Sequence, residues 1–283
     1  MHGLTHIEGQ TRRSRRHPRG LSRGNPKVTG VLPVTLENAT KIVQILLLTG
    51  KEYVCVMRLH SSVSEKKIEE VMNEFVGEIY QRPPLRSSVK RQVRKRKIYY
   101  IEDLEFQRQY VLFRVGCQAG TYIRKLCFDV GEVLGSGAHM VELRRTRTGP
   151  FQEDKNLATL YDLSYAYTLF EEKDESYLRK IVQPVENALS LTPKIFVRDS
   201  AIDALCHGAD LALPGVLRLH SGIKPRNVVG IFTQKEELVA LASSLMSSEE
   251  MTTKDHGMAA NVERVVMAPG TYPSMWRNGR KQA

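Results

Sequence analysis

"KEYVCVMRLH", residues 51–60, sets Tyr53, Cys55, Met57 and Leu59 against Val54, Val56, Arg58 and His60. Successive side chains of a strand point to opposite faces, so this alternation predicts a buried β-strand. A helical spacing follows: Ser64 as N-cap, Ile68, Val71, Met72 and Phe75 along one face, and Gly77 as the stop. The strand–helix pair then recurs. "QYVLFRVGCQ" (109–118) places Val111, Phe113, Val115 and Cys117 on one face, and "GTYIRKLCFDVGEVLG" (120–135) reads as a helix. Ile123, Leu126, Cys127, Val130, Val133 and Leu134 form its core stripe. Between the pairs, "QRPPLRSSVK" (81–90) is a loop, because Pro83-Pro84 forbids regular structure.

Upstream, order begins near "VTGVLPVTLENATKIVQILL" (28–47), while residues 1–24 carry no hydrophobic period and read as disordered. Downstream, "LATLYDLSYAYTLF" and "ESYLRKIVQPVENAL" suit helices. Beyond Pro193 short apolar runs are broken by Gly208, Pro214-Gly215, Gly222 and Pro225. That pattern predicts a small, mostly β second domain from about residue 194.

The chain has 283 residues and a net charge of +11, which points to a polyanionic partner, nucleic acid before an acidic membrane surface. Two clusters carry much of the charge. Residues 1–27 hold seven basic residues against the single acid Glu8, and "KRQVRKRK" (90–97) joins Lys90, Arg91, Arg94, Lys95, Arg96 and Lys97 without an acid. Either alone could be a solvated loop; together they suit phosphate neutralisation. Four cysteines without C-x-x-C spacing read as reduced core thiols of a cytoplasmic protein. No apolar run reaches membrane-spanning length, and no metal-ligand cluster or phosphate-cradling glycine motif appears. Arg124 falls off the apolar stripe in a first helical turn, where the helix dipole favours anions. Its partner is an anion of the protein or a ligand, or it is an exposed arginine without consequence.

Several stretches in order, "NPKVTGVLPVTLENAT", "GKEYV", "QRPPLRSSVKR", "GTYIRKL", "GAHMVELRRTRTGPF" and "HGADLALPGV", resemble the TruB/dyskerin group of RNA pseudouridine synthases. The likeness is strongest to archaeal members that work in guide-RNA (H/ACA) particles, and it spans residues 26 to about 276. It implies an α+β protein: a mixed-sheet synthase domain over 26–190, a β-barrel-like PUA domain over 194–270, and a basic tail over 271–283. It also implies isomerisation of uridine in tRNA or rRNA without metal or organic cofactor. The partners implied are RNA, including an H/ACA-type guide, and small accessory proteins. By the resemblance Tyr53 stacks on the flipped base, Arg124 pairs with the catalytic aspartate, Leu143 walls the pocket and Lys90 borders it.

At the aspartate position stands Asn25, in "LSRGNPKVTG". An amide has the shape of a carboxylate without its charge, and serves neither as nucleophile nor as base near neutral pH. The sequence before Pro26 also lacks the family's preceding strand and its K-P-x-G-x-T-S loop. Residues 1–25 therefore read as an aberrant segment, with a displaced reading frame or start favoured over an inactive form. Takeover by another carboxylate such as Glu37 ranks last. Loss of the first strand would leave a sheet edge unpaired. The rival reading is a non-catalytic RNA-binding scaffold of a ribonucleoprotein particle.

Overall fold

The structure is a computed structural model that describes residues 3–8, 28–83, 92–154 and 156–275, the first of these segments as backbone alone. The chain divides into two compact units that interleave in sequence. One holds Ile45–Val182 with the strand before Thr35; the other joins Thr35–Gln44 to the chain from Gln183 onward.

In the first unit the elements are β1 (Gly3–Glu8), β2 (Val28–Thr35), α1 (Val43–Leu48), β3 (Lys51–Leu59), α2 (Glu65–Glu74), β4 (Gly77–Gln81) and β5 (Arg94–Gln107). There follow β6 (Tyr110–Cys117), α3 (Ile123–Leu134), β7 (Ala138–Thr148), β8 (Phe151–Gln152), β9 (Ala158–Thr159), α4 (Leu160–Glu171) and α5 (Ser176–Ile181). The sheet runs β1-β2-β7-β3-β6-β5-β4, with β8 beside β7 and β9 beside β1. β2 joins β7 in parallel and β3 joins both β6 and β7 antiparallel, so the sheet is mixed.

Alternation in β3 works as the sequence dictates: Cys55, Met57 and Leu59 are buried in one core with Val111, Phe113, Val115 and Cys117 of β6. Ile68, Val71 and Met72 of α2 and Ile123, Leu126, Cys127 and Val130 of α3 close that core from the helix side. All four cysteines are free and buried. Cys55 and Cys127 approach to 3.6 Å, and that contact together with burial pushes the Cys55 thiol far up, so it stays protonated.

Several expectations shift. Val133 is 54% exposed, because α3 leans onto the sheet through Gly131, where a Cβ would come within 2.1 Å of the Ala138 nitrogen. That close approach turns the buried stripe toward Gly131 and away from Val133. Helix α2 ends at Glu74, and Gly77 instead opens β4 with φ of 116°. Residues 1–24 are not without structure throughout: β1 lies beside β2, so that edge is paired.

In the second unit the elements are β10 (Gln183–Pro184), β11 (Lys194–Val197), α6 (Asp199–Cys206), β12 (Leu211–Ala212), β13 (Val216–Leu219), β14 (Val228–Phe232), β15 (Leu238–Ser244), α7 (Ser248–Thr253) and β16 (Met258–Val265). A six-stranded sheet, β12-β16-β15-β14-β11-β13, wraps a core of Ile195, Val197, Val229, Ile231, Val239 and their neighbours. This is the small β domain that the broken apolar runs predict. Among the described residues no helix is long and apolar enough to cross a membrane.

Two residues hold the chain tight around the start of β3, Gly30 where β2 meets β7 and Lys51 at the end of α1. Gly30, at φ of 102°, sits so close to β7 that a Cβ would lie 2.1 Å from the Arg145 carbonyl oxygen. Lys51 donates from Nζ to the carbonyls of Leu46 (3.0 Å), Leu47 (2.9 Å) and Thr49 (2.6 Å), capping α1 where the helix dipole is negative. Burial and then the Arg145 charge lower its ammonium to about 8.

Gly30→Ala is expected to cost about 3 kcal/mol in chemical denaturation, because both the positive φ and the backbone clash resist a methyl group. For Lys51 the folded state gives up its proton before the unfolded chain does. Stability relative to Lys51→Met should therefore rise as pH climbs from about 8 toward the unfolded lysine value. A flat difference between the two denaturation curves over that range would contradict the assignment.

Candidate functional site

The register of three strands decides what can meet. On β7, Leu143 is flanked by Cys55 of β3 and Val28 of β2, and Arg145 by Tyr53 and Gly30. Val28, three residues after Asn25 in sequence, opens β2 beside Leu143. Asn25 itself lies outside the described residues, as do Lys90 and Arg91.

Tyr53 is the last inward residue of β3 before the core opens, half-buried and packed against it, whereas Cys55, Met57 and Leu59 beyond it are sealed. Burial pushes its phenol up and the neighbouring Arg145 only partly opposes this, so the ring stays neutral. A half-covered neutral aromatic face at the mouth of a core is what base stacking requires. Leu143 is buried two residues along β7 from the Tyr53 pairing, which makes the two adjoining parts of one apolar wall.

Arg124 is exposed in the first turn of α3, and among the described residues no carboxylate pairs with it. What precedes it is held firmly. Gln81, buried at the end of β4, accepts from the Tyr122 N–H at 2.9 Å and donates to the Tyr122 carbonyl at 3.2 Å. Tyr122 is the N-cap of α3, and its own side chain makes no capping bond, so the Gln81 amide fixes where the helix begins.

The described basic residues of the run, Arg94–Lys97, lie on a strand. With a period of two, Arg94 and Arg96 fall on one face of β5 and Lys95 and Lys97 on the other. Lys95 turns to Glu78 at 2.6 Å, and that carboxylate raises its ammonium. Arg96 lies against the turn that opens α3: a Cβ on Gly120 would come 3.2 Å from its Nη2, and Nη1 donates to the Lys95 carbonyl at 2.8 Å. Its buried Nε has no hydrogen-bond partner. The Arg96 guanidinium thus lies against the turn before Arg124, and the Lys97 backbone is bonded to Gln118 of the same turn.

Behind Tyr53, on the opposite face of β3, Glu52 accepts from the Tyr100 hydroxyl, from Thr146 Oγ1 at 2.7 Å and from Arg114 at 3.3 Å. Burial alone would raise its carboxyl, but those hydrogen bonds and the charges of Arg147 and Arg114 outweigh it and hold the carboxyl low. Glu52 is thus committed to the back of the sheet. Glu37 belongs to the other unit, in the 3-10 turn over residues 37–42. No cluster of three or more metal-ligating side chains occurs among the described residues.

Sequence reasoning missed Gln81, Lys51 and Arg145. The last lies in the same "ELRRTR" that supplied Leu143, and its Nε donates to the Val31 carbonyl at 2.7 Å, tying β7 to β2.

Comparison with known proteins places the whole chain. The TruB family pseudouridylate synthase N-terminal domain matches residues 25–65 and 60–123, the tRNA pseudouridylate synthase B C-terminal domain matches 124–190, and the PUA domain matches 193–266. The chain is 56% identical over 253 residues to the probable tRNA pseudouridine synthase B of Methanopyrus kandleri, covering 89% of this chain and 75% of the relative. The corresponding protein of Pyrococcus furiosus is also 56% identical, with 89% and 74% covered. Among solved structures, a chain of an H/ACA RNP bound to a substrate RNA containing 2'-deoxyuridine superposes with a TM-score of 0.89 at 47% identity, over 97% of this chain and 88% of that one. A chain of a Cbf5-Nop10-Gar1 complex gives 0.86 at 50%, over 96% and 87%. The chain therefore belongs to the TruB family of pseudouridylate synthases, with a C-terminal PUA domain.

Proposed function

We propose that this chain is built to isomerise uridine to pseudouridine in tRNA or rRNA as the synthase subunit of a guide-RNA particle, and that Asn25 disables the chemical step. In this reaction the bond between the ribose and the uracil nitrogen breaks, the base turns, and the ribose rejoins it at carbon; that carbon loses its proton and the freed ring nitrogen gains one, so the product is an isomer of the substrate. In this reading Tyr53 holds the flipped base by its ring, Leu143 excludes water beside it, and Arg124 is placed to orient the carboxylate that the family carries where this chain has Asn25. The observation that carries this reading is the strand register, which sets Tyr53, Leu143 and the start of β2 side by side. Gln81 supports it by seating the helix terminus that presents Arg124.

Arg96 beside the α3 turn and the exposed Lys97 give RNA phosphates a basic approach. The partners in this reading are a guide RNA and accessory proteins of the Nop10 and Gar1 kind, after the complexes of the similar structures. The cytoplasm is the compartment proposed, supported by four free thiols. A second reading, a non-catalytic RNA-binding scaffold, is favoured by one specific observation: Asn25 at the position where a charge is needed.

The Asn25→Asp substitution separates the two. With guide RNA and accessory proteins supplied, it should raise pseudouridine formation by about 10³-fold over the unchanged chain. Full activity of the unchanged chain would show that another group does the chemistry. Inactivity of both forms, with RNA binding intact, would leave the scaffold reading. In the Asn25→Asp background, Gln81→Ala should slow the single-turnover rate about tenfold while RNA affinity stays within about twofold, because it misplaces Arg124 without removing a phosphate contact. Gln81→Asn, which retains an amide on a shorter arm, should recover part of the rate.

A further inference from the structure

Glu52 lies between two irregularities of the sheet. In the β3–β7 ladder Glu52 pairs with Arg147 and Tyr53 with Arg145, so Thr146 is an extra residue, a bulge in β7. In the β5–β6 ladder Ile98 pairs with Cys117 and Tyr100 with Gly116, so Tyr99 is extra in β5. Gly116 is also the β6 partner of Glu52. A Cβ on Gly116 would come within 2.3 Å of the Tyr100 ring, so the glycine is what lets that ring reach across β6 to Glu52.

The Glu52 carboxylate joins the two bulges. It accepts from Thr146 Oγ1 at 2.7 Å on one side and from the Tyr100 hydroxyl on the other, and Arg147 Nη2 donates to that hydroxyl at 3.2 Å. Its side chain is 14% exposed, so protein donors must do most of what water would otherwise do for its charge. The Thr146 carbonyl accepts from the Glu153 N–H at 2.8 Å, which holds the bulge from its other flank. In a regular strand Thr146 and Arg147 would face opposite ways. Here both reach the Glu52 side, while Arg145 stays beside Tyr53. A bulge bends its strand, raises the local twist and re-aims side chains, and the residue that follows this one along β3 is Tyr53.

We propose that Glu52 is a positioning residue for the target base: by clasping the Thr146 bulge behind β3, it sets the angle at which the Tyr53 ring is offered to a uracil. This rests on the stacking role given to Tyr53 above. Glu52 faces away from the pocket and acts only through Tyr53, so its loss weakens recognition of the base and spares the grip on the RNA backbone.

The test compares two target strands on the full chain assembled with a guide RNA and the accessory proteins. One strand carries uridine at the target position, the other a ribose without a base. The ratio of their affinities reads stacking and needs no chemical step. The unchanged chain should prefer the uridine strand by about tenfold, and Tyr53→Ala should lose that preference. Thr146→Ala and Glu52→Ala should each cut it to about threefold or less, while affinity for the strand without the base stays within about twofold. Thr146→Ser, which restores the hydroxyl, should recover the preference. A preference lost in Tyr53→Ala but kept in Thr146→Ala and Glu52→Ala would overturn the positioning role and leave the stacking role standing. Equal weakening of both strands by those two variants would show a purely structural bulge and overturn it as well. A preference that survives Tyr53→Ala, or is missing from the unchanged chain, would remove the stacking role and the positioning role together.

Discussion

The parallel pairing of β2 with β7 is the constraint on which the site depends. It is a tight one: Gly30 lets the two backbones meet, and Arg145 pins β7 to the Val31 carbonyl. Leu143 thereby lies between Val28 and Cys55, with Tyr53 two residues further along the β3–β7 ladder. The seam fixes where β2 begins, with Val28 beside Leu143.

The charges around that end follow one pattern. Lys51 rests on three carbonyls, Arg145 on one, and Arg96 on the Lys95 carbonyl, while Arg124 has no carboxylate among the described residues. Glu52, the nearest acid in sequence to Tyr53, is held on the other face by Tyr100, Thr146 and Arg114. Dipoles solvate these cations without neutralising them, so the site keeps a positive field. Such a field suits an RNA backbone, and under the proposed reading it would favour an ionised carboxylate at position 25 over an amide.

Much of this was legible in the sequence because it rests on short-range periodicity. The alternation of 51–60 and 109–118, the helical spacing after Ser64 and within 120–135, and the break after Pro193 each specify a local geometry that packing then confirms. What was not legible depends on pairs far apart in the chain. Gln81 and Tyr122 meet because β4 ends beside the start of α3, and no spacing announces a bond between an amide and a peptide 41 residues away. Within the basic run, Arg94–Lys97 looked like a single patch only until their strand period divided them. Val133 looked like core only until Gly131 set the angle of α3. The roles of Tyr53, Leu143 and Arg124 came from family motifs, since periodicity alone could not tell a stacking tyrosine from a core one.

The central proposal is that a carboxylate at position 25 pairs with Arg124 beside Tyr53. A crystal structure of the Asn25→Asp chain measures this directly. The new carboxylate is expected within about 4 Å of the Arg124 guanidinium, on the same side of the sheet as the Tyr53 ring. A carboxylate turned to solvent, with Arg124 still unpaired, would contradict it.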